Sequence, residues 1–282
     1  MNPRRFKQVD VFTDNPYFGN PVAVVLDGDG LSDDEMQRFA RWTNLSETTF
    51  VLPPGDAAAD YRVRIFTPGG ELPFAGHPTL GTCHGWLEAG GQPKSAGEVV
   101  QQCAVGLIRV RREPRHLAFA APPCKMSSPA PALLAKVAAA LGIQSQQIVA
   151  ARLLDNGPVW LGLLLDAPQT VLALSPDHLA LKHLGQKVGV AAIWPGAEEG
   201  SPKLEVRAFA AAIGIPEDPV TGSLNASLAQ WLIEGRHLPA RYLAAQGQCL
   251  NRAGRVLIER DREGQVWVGG ESVTCIDGVV SL

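Results

Sequence analysis

An internal echo is the feature that most limits what this chain can fold into. Arg64-Ile65-Phe66 runs through a Gly-rich turn into a small-residue helix pattern ending Trp86-Leu87-Glu88-Ala89-Gly90. The same order returns at Arg207-Ala208-Phe209, Gly214 and Trp231-Leu232-Ile233-Glu234-Gly235. The copies lie roughly 145 residues apart, far beyond the period of a solenoid, so they point to a duplicated domain. The blander alternative is a turn–helix grammar shared by chance.

Each copy carries the same elements. Strand patterns run over Phe6 to Thr13, Pro21 to Leu26, Thr48 to Leu52 and Tyr61 to Phe66. Ser32 with Glu35 three residues on reads as a capping box opening a helix that ends near Asn44. A second instance follows, with a helix over Pro131 to Leu141 and strands over Ile148 to Leu154, Val159 to Leu165 and Leu204 to Phe209. The helices Thr79 to Ala89 and Ser223 to Ile233 have almost no charged face, so each belongs at the centre of its own half, wrapped by strands. The expected class is α+β with mostly antiparallel sheet. The Pro/Ser-rich stretch Pro122 to Pro131 marks the boundary, giving an N-terminal half 1–122 and a C-terminal half 123–282, with the final strand packing back on the N-terminal half.

Composition removes several function classes. A net charge of -3 with no basic stripe argues against nucleic-acid binding. Five scattered cysteines without CxxC spacing argue against a disulfide framework or a zinc site. No apolar run of membrane-spanning length and no signal-peptide core occur, and the expected compartment is the cytoplasm. The NAD fingerprint and the P-loop are absent as well. The expectation is therefore an activity without metal or nucleotide cofactor.

Two helix starts carry the chemistry, Phe74-Ala75-Gly76-His77-Pro78-Thr79 and Glu217-Asp218-Pro219-Val220-Thr221-Gly222-Ser223. Small residues and an early proline leave backbone amides facing outward, and the helix dipole favours a carboxylate there. In a two-half protein both starts can open into one cleft between the halves. Taken singly, each is equally a well-capped helix start. Glu47, between a helix end and an apolar strand, is the candidate general acid/base if partial burial raises its pKa. A surface glutamate on a loop is the plain alternative. His77 would orient a substrate or carry a proton near neutral pH. Asp218 would bind by hydrogen bonding or cap its helix. The other five histidines share no motif and read as structural or surface residues.

These segments, with Gly19-Asn20-Pro21 and Asn44-Leu45-Ser46-Glu47-Thr48-Thr49-Phe50, resemble the PhzF-like (phenazine biosynthesis) family over nearly the whole chain. Four blocks in order are highly specific. The resemblance implies a diaminopimelate-epimerase-like fold, two similar halves each with a curved sheet around a central helix, and a homodimer. It implies that Glu47 shuttles a proton between carbons of a small carboxylate-bearing substrate. It places His77, Asp218 and Ser223 in the site, Gly76 and Gly222 at the helix mouths, and Asn20 and Ser46 near the substrate. Racemases of the same fold use a thiol at each helix start. Ala75 and Pro219 to Val220 stand there instead, so an isomerase with one carboxylate fits better. A lyase or epimerase, and a ligand-binding protein without turnover, remain the alternatives. Leu250 to Gly254 departs from the Gly-Arg-Pro-Ser-like stretch common in the family, which leaves the substrate open.

Overall fold

The computed structural model describes residues 2–282, and contacts gather the chain into two compact units. One comprises Met1–Ala120 with Gly269–Leu282, the other Ala121–Val268.

The first unit contains β1 (Pro3–Val11), β2 (Asn20–Val25), α1 (Asp33–Thr43), β3 (Glu47–Leu52), β4 (Tyr61–Thr67), β5 (Gly70–Leu72), α2 (Gly76–Glu88), β6 (Glu98–Cys103), β7 (Gly106–Arg112) and β8 (Leu117–Ala120). β1 pairs antiparallel with β2 and with the chain's last strand, Ser272–Ser281. β2–β3 and β4–β6 are parallel, whereas β3–β4, β4–β5, β6–β7 and β7–β8 are antiparallel. The curved sheet closes around α2, which touches β1, β2, β3, β6 and β8. β1 stops two residues before the sequence pattern suggests, because Phe12 takes a positive φ of 67° and turns the chain out of the strand.

α1 covers the outer face. Ser32 and Glu35 form the expected capping box, and Asn44 closes the helix in the left-handed conformation that asparagine tolerates. Its Met36, Phe39 and Ala40 pack on Val25, Phe50 and Phe66. α2, by contrast, is buried nearly all round, and it comes so close to β2 that a side chain at Gly81 has no room. A Cβ there would lie 2.3 Å from Val22 Cγ1 and 2.9 Å from Val11 Cγ2. Gly81→Ala is therefore expected to destabilise the fold by about 1–3 kcal/mol through overpacking, despite alanine's better helix propensity. Urea denaturation checks this, and an unchanged midpoint would contradict the packing.

The second unit repeats the scheme. It contains β9 (Lys125–Ser127), α3 (Pro131–Leu141), β10 (Ile148–Asp155), β11 (Val159–Leu165), α4 (Pro168–Ala173), α5 (His178–Leu184), β12 (Lys187–Ile193), β13 (Leu204–Ala210), β14 (Ile215–Asp218), α6 (Gly222–Glu234), β15 (Arg241–Gln246) and β16 (Gly254–Arg260). The pairing order matches strand for strand: β11–β12 and β13–β15 parallel, β10–β11, β12–β13, β13–β14 and β15–β16 antiparallel. α6 takes the place of α2, and α3, α4 and α5 take the outer layer. Val137, Leu141, Val171 and Leu181 close that layer over Leu161, Val188 and Phe209. The mixed α+β class and the two similar halves are thus present, each half a mostly antiparallel sheet around one apolar helix.

The echoed arginines gain a physical meaning here. Arg64 on β4 grips Glu71 on β5, with Nε and Nη2 donating at 2.8 and 2.7 Å. Arg207 on β13 grips Glu217 on β14 in the same fork, at 2.9 and 2.8 Å. Each guanidinium also lies 5.0 Å from the ring of the phenylalanine two residues on. In both units this clamp fixes the hairpin that leads into the central helix.

Candidate functional site

The start of α2 collects most of the sequence candidates. A tight turn delivers Gly19-Asn20-Pro21: the Gly19 amide donates to Asp10 Oδ2 at 2.9 Å. A Cβ on Gly19 would fall 2.2 Å from the Val11 carbonyl oxygen, so no other residue fits. Asn20, fully buried, then places Nδ2 3.5 Å from His77 Nδ1. The Pro21 carbonyl accepts a hydrogen bond from the same ring, since proline has no N–H to donate. The parallel pairing Val22↔Glu47 brings β3 alongside. Glu47 opens β3, one residue before the expected strand start at Thr48, and is not the surface loop glutamate of the plain alternative. Its Oε2 lies 3.2 Å from His77 Nε2, with side-chain exposures of 13% and 5%. The two atoms are within ion-pair reach but off the line of a hydrogen bond. Ser46 directly precedes Glu47 and is half-buried.

Burial sets the state of the histidine. His77 is pushed down to about 3 by desolvation, against a smaller upward pull from its bond to Pro21. It does not titrate near neutrality, as the isolated imidazole would, and stands uncharged beside Glu47 at pH 7. The unfolded chain protonates His77 below about 6.5 and the folded chain only near 3. The unfolded state therefore binds more protons in that window, and stability present above pH 6.5 drains away as pH falls, by about 1.4 kcal/mol per unit. His84, also lowered by burial, adds in the same direction. His77→Asn is expected to flatten the loss of urea stability between about pH 6 and about pH 4. An unaltered slope would show that His77 titrates normally.

The mouth of α6 is built differently. Pro219 lies outside the helix, not in its first turn, and the N-cap is Thr221, which makes no side-chain capping bond. Its hydroxyl instead donates to Asp218 Oδ2 at 2.5 Å and accepts from Gln246 Nε2 at 3.0 Å. Asp218 is therefore a partner of the cap residue rather than the cap itself. Gln246, at the end of β15, uses its whole amide: Oε1 accepts from the Thr221 amide and Asn225 Nδ2, and Nε2 also donates to the Asp218 carbonyl. Gln101, within β6, donates from Nε2 to the hydroxyl of Thr79, the fourth residue of α2, at 3.0 Å. Ser223 Oγ accepts from the Trp160 indole at 3.2 Å. Gln246 and Trp160 lie outside the motifs that flag the site, and Thr221 lies within one of them without being singled out.

Both mouths share one property. The first turns of α2 and α6 hold no acidic residue and receive no side-chain cap, whereas α1 has a capping box and three acidic residues. The amides of Gly76, His77, Gly222 and Ser223 have no acceptor within their helices. Uncompensated helix N-termini with small residues favour a carboxylate. The one thiol along α2, Cys83, is fully buried and pushed up to about 12 by desolvation, so it is no base. Among the described residues no three His, Cys, Asp or Glu side chains converge as metal ligands do.

A family model described as phenazine biosynthesis-like protein, PhzC-PhzF, matches residues 9–278. The chain belongs to the PhzC-PhzF family. One relative is Antisense-enhancing sequence 1 of Schizosaccharomyces pombe, 36% identical and covering 99% of both chains. Another is the trans-2,3-dihydro-3-hydroxyanthranilate isomerase of Pseudomonas aeruginosa, 34% identical, covering 97% of this chain and 98% of the enzyme. Among solved structures, the phenazine biosynthesis protein of the PhzF family from Bacillus anthracis superposes over 100% of both chains. Its TM-score is 0.86 at 23% identity, a likeness of fold. The blocks around Asn20, Glu47, His77 and Asp218 are thus read within a PhzC-PhzF chain whose relatives match it end to end. No helix among the described residues is long and apolar enough to cross a membrane.

Proposed function

We propose that the protein is an isomerase that moves a proton between carbons of a small carboxylate-bearing acid, with Glu47 as the acid/base. The observation that carries this reading is Glu47 Oε2 standing 3.2 Å from an uncharged, buried His77 at a helix start with no cap of its own. The substrate carboxylate lies on the amides of Gly76 and His77, and the α6 mouth, with Gly222, Ser223 and Asp218, is a second helix start that favours a carboxylate. Glu47 takes a proton from one carbon and returns it to another, so the substrate keeps its formula and no electron acceptor is needed. The helix amides stabilise the negative charge that develops on the carboxylate as the C–H bond breaks. His77, unable to hold a positive charge near neutrality, orients rather than donates charge. Asn20 and Ser46 contact the substrate beside Glu47. The chain works without metal or nucleotide cofactor, as a homodimer in the cytoplasm.

The relative named trans-2,3-dihydro-3-hydroxyanthranilate isomerase makes that compound the first to offer. Incubation followed by NMR and mass analysis separates the enzyme readings: an isomer of equal mass supports the proposal. A fragment pair shows a lyase, and inversion at one carbon shows an epimerase. An unchanged substrate across a panel of related amino and hydroxy acids would contradict it. The similarity to Antisense-enhancing sequence 1, a name that states no reaction, keeps a second reading in view, a ligand-binding protein of the same fold. Binding without any conversion is its signature. Sedimentation gives the assembly state, for which the proposal expects twice the 30.0 kDa chain mass.

A further inference from the structure

One sheet edge in the first unit is left open. The chain's last strand, Ser272–Ser281, pairs antiparallel with β1, and among the described residues no strand lies along its other side. The direction of its backbone groups follows from β1. The Arg5 carbonyl accepts from the Leu26 amide on the β2 side at 2.9 Å. Arg4, Phe6 and Gln8 therefore turn their peptide groups the other way, toward the last strand, where Val280, Gly278 and Ile276 are their register partners. Asp277 and Val279 in turn point their N–H and C=O groups outward, along the open edge. This stretch is exposed and apolar, Ile276 by 49% and Val279 by 64%. From Ile276 to Ser281 it has no proline and no lysine, two residues that keep natural sheet edges from pairing. Its single charge, Asp277, is held by Lys7 Nζ at 2.8 Å.

We propose that Ile276–Ser281 is the surface on which a second copy of this chain docks, the two last strands pairing antiparallel about a two-fold axis at Gly278. This rests on the homodimer reading and gives it an interface. The strand matches itself in that register. Asp277 pairs with Val279 of the partner subunit and Val279 with Asp277 of the partner subunit, each pair exchanging both of its backbone bonds. Ile276 meets Val280 of the partner subunit on the face that carries Phe6 and α1, so apolar side chains flank the axis on both sides. An axis at Asp277 would instead set two carboxylates directly opposite each other, an unfavourable pair. Gly278 faces its own symmetry mate at a non-hydrogen-bonded position, where the backbones approach to about 4.5 Å. A residue without a side chain suits that approach.

The lone chain has room for a side chain at this point, because a Cβ on Gly278 meets nothing within 4 Å. Gly278→Glu places like charges at the axis and should raise the dimer dissociation constant at least about a hundredfold. Val279→Pro removes an outward N–H while leaving the β1 ladder its bonds, and should raise it at least about tenfold. Sedimentation equilibrium over a concentration series reads both, with circular dichroism to show that each variant is folded. On wild type, the Asp277 and Val279 amides should be protected from hydrogen exchange in the dimer, although an open edge would leave them free. That reading decides the matter if neither variant folds. A dimeric wild type whose folded variants dimerise equally well, or whose Asp277 and Val279 amides exchange freely, overturns this edge as the interface and leaves the homodimer standing on another surface. A wild type that stays at 30.0 kDa at every concentration overturns the homodimer, and the edge assignment with it.

Discussion

Glu47→Gln is expected to lower kcat by about a thousandfold, within the range that positioned acid/base groups contribute, while substrate still binds. The amide is nearly isosteric and keeps an oxygen near His77, but it can neither take nor return a proton. With the substrate's carboxylate on backbone amides, as proposed, KM should change by less than about threefold, the pattern of an interaction used in the chemical step. Stability should hardly move, since Glu47 is at the first position of β3 and its packing partners are unaffected. Steady-state kinetics checks this. A variant with near wild-type kcat would remove Glu47 from the mechanism.

The second large effect concerns the clamps. Arg207 and Glu217 are 6% and 7% exposed, whereas Arg64 and Glu71 are 18% and 39% exposed. Glu217→Ala leaves a buried guanidinium with no carboxylate on it, hydrogen-bonded to the Val171 and Leu174 carbonyls. That should cost about 3 kcal/mol, as removal of one member of a buried pair does, and lower Tm by roughly 6–12 °C. Glu71→Ala, the same change at the matching place in the other unit, should cost less than about 1 kcal/mol. Water screens that pair, and Asp33 lies within reach of Arg64 as a substitute. Because Glu217 adjoins Asp218, its loss should also loosen the α6 mouth and reduce kcat. Thermal unfolding of the two variants side by side checks the contrast, and equal losses would contradict it.

What the sequence makes legible follows from how local the physics is. The capping box at Ser32 and Glu35, the helix Pro131–Leu141 and the strand Val159–Leu165 are fixed by their own residues, and the structure has them where the pattern puts them. The apolar central helices are legible for the same reason, because a helix without a polar face must be enclosed. The hairpins β6 to β8 and the short helices α4 and α5 are not. Burial alternates along β6 and β7, but the buried row includes the polar Gln101 and the sequence itself does not alternate, and helices of six and seven residues are held by packing on β11, β12 and β13 rather than by propensity. Among the candidate residues, Glu47 and His77 could be picked out from their own segments and Asn20 through the resemblance, and the structure brings the three together. The neutral state of His77 could not, because it comes from burial among strands distant in sequence. Gln246 escaped notice because its role arises from the pairing of β13 with β15 that brings it to the start of α6, which no short segment records.

The most direct test of the proton-transfer account is NMR in deuterated buffer, with trans-2,3-dihydro-3-hydroxyanthranilate and related amino acids offered to wild type and to Glu47→Gln. The account predicts deuterium entering one substrate or product carbon with wild type and none with the variant. Binding by wild type with neither conversion nor exchange, or equal conversion and deuterium uptake by both proteins, would contradict the role of Glu47 as the group that carries the proton.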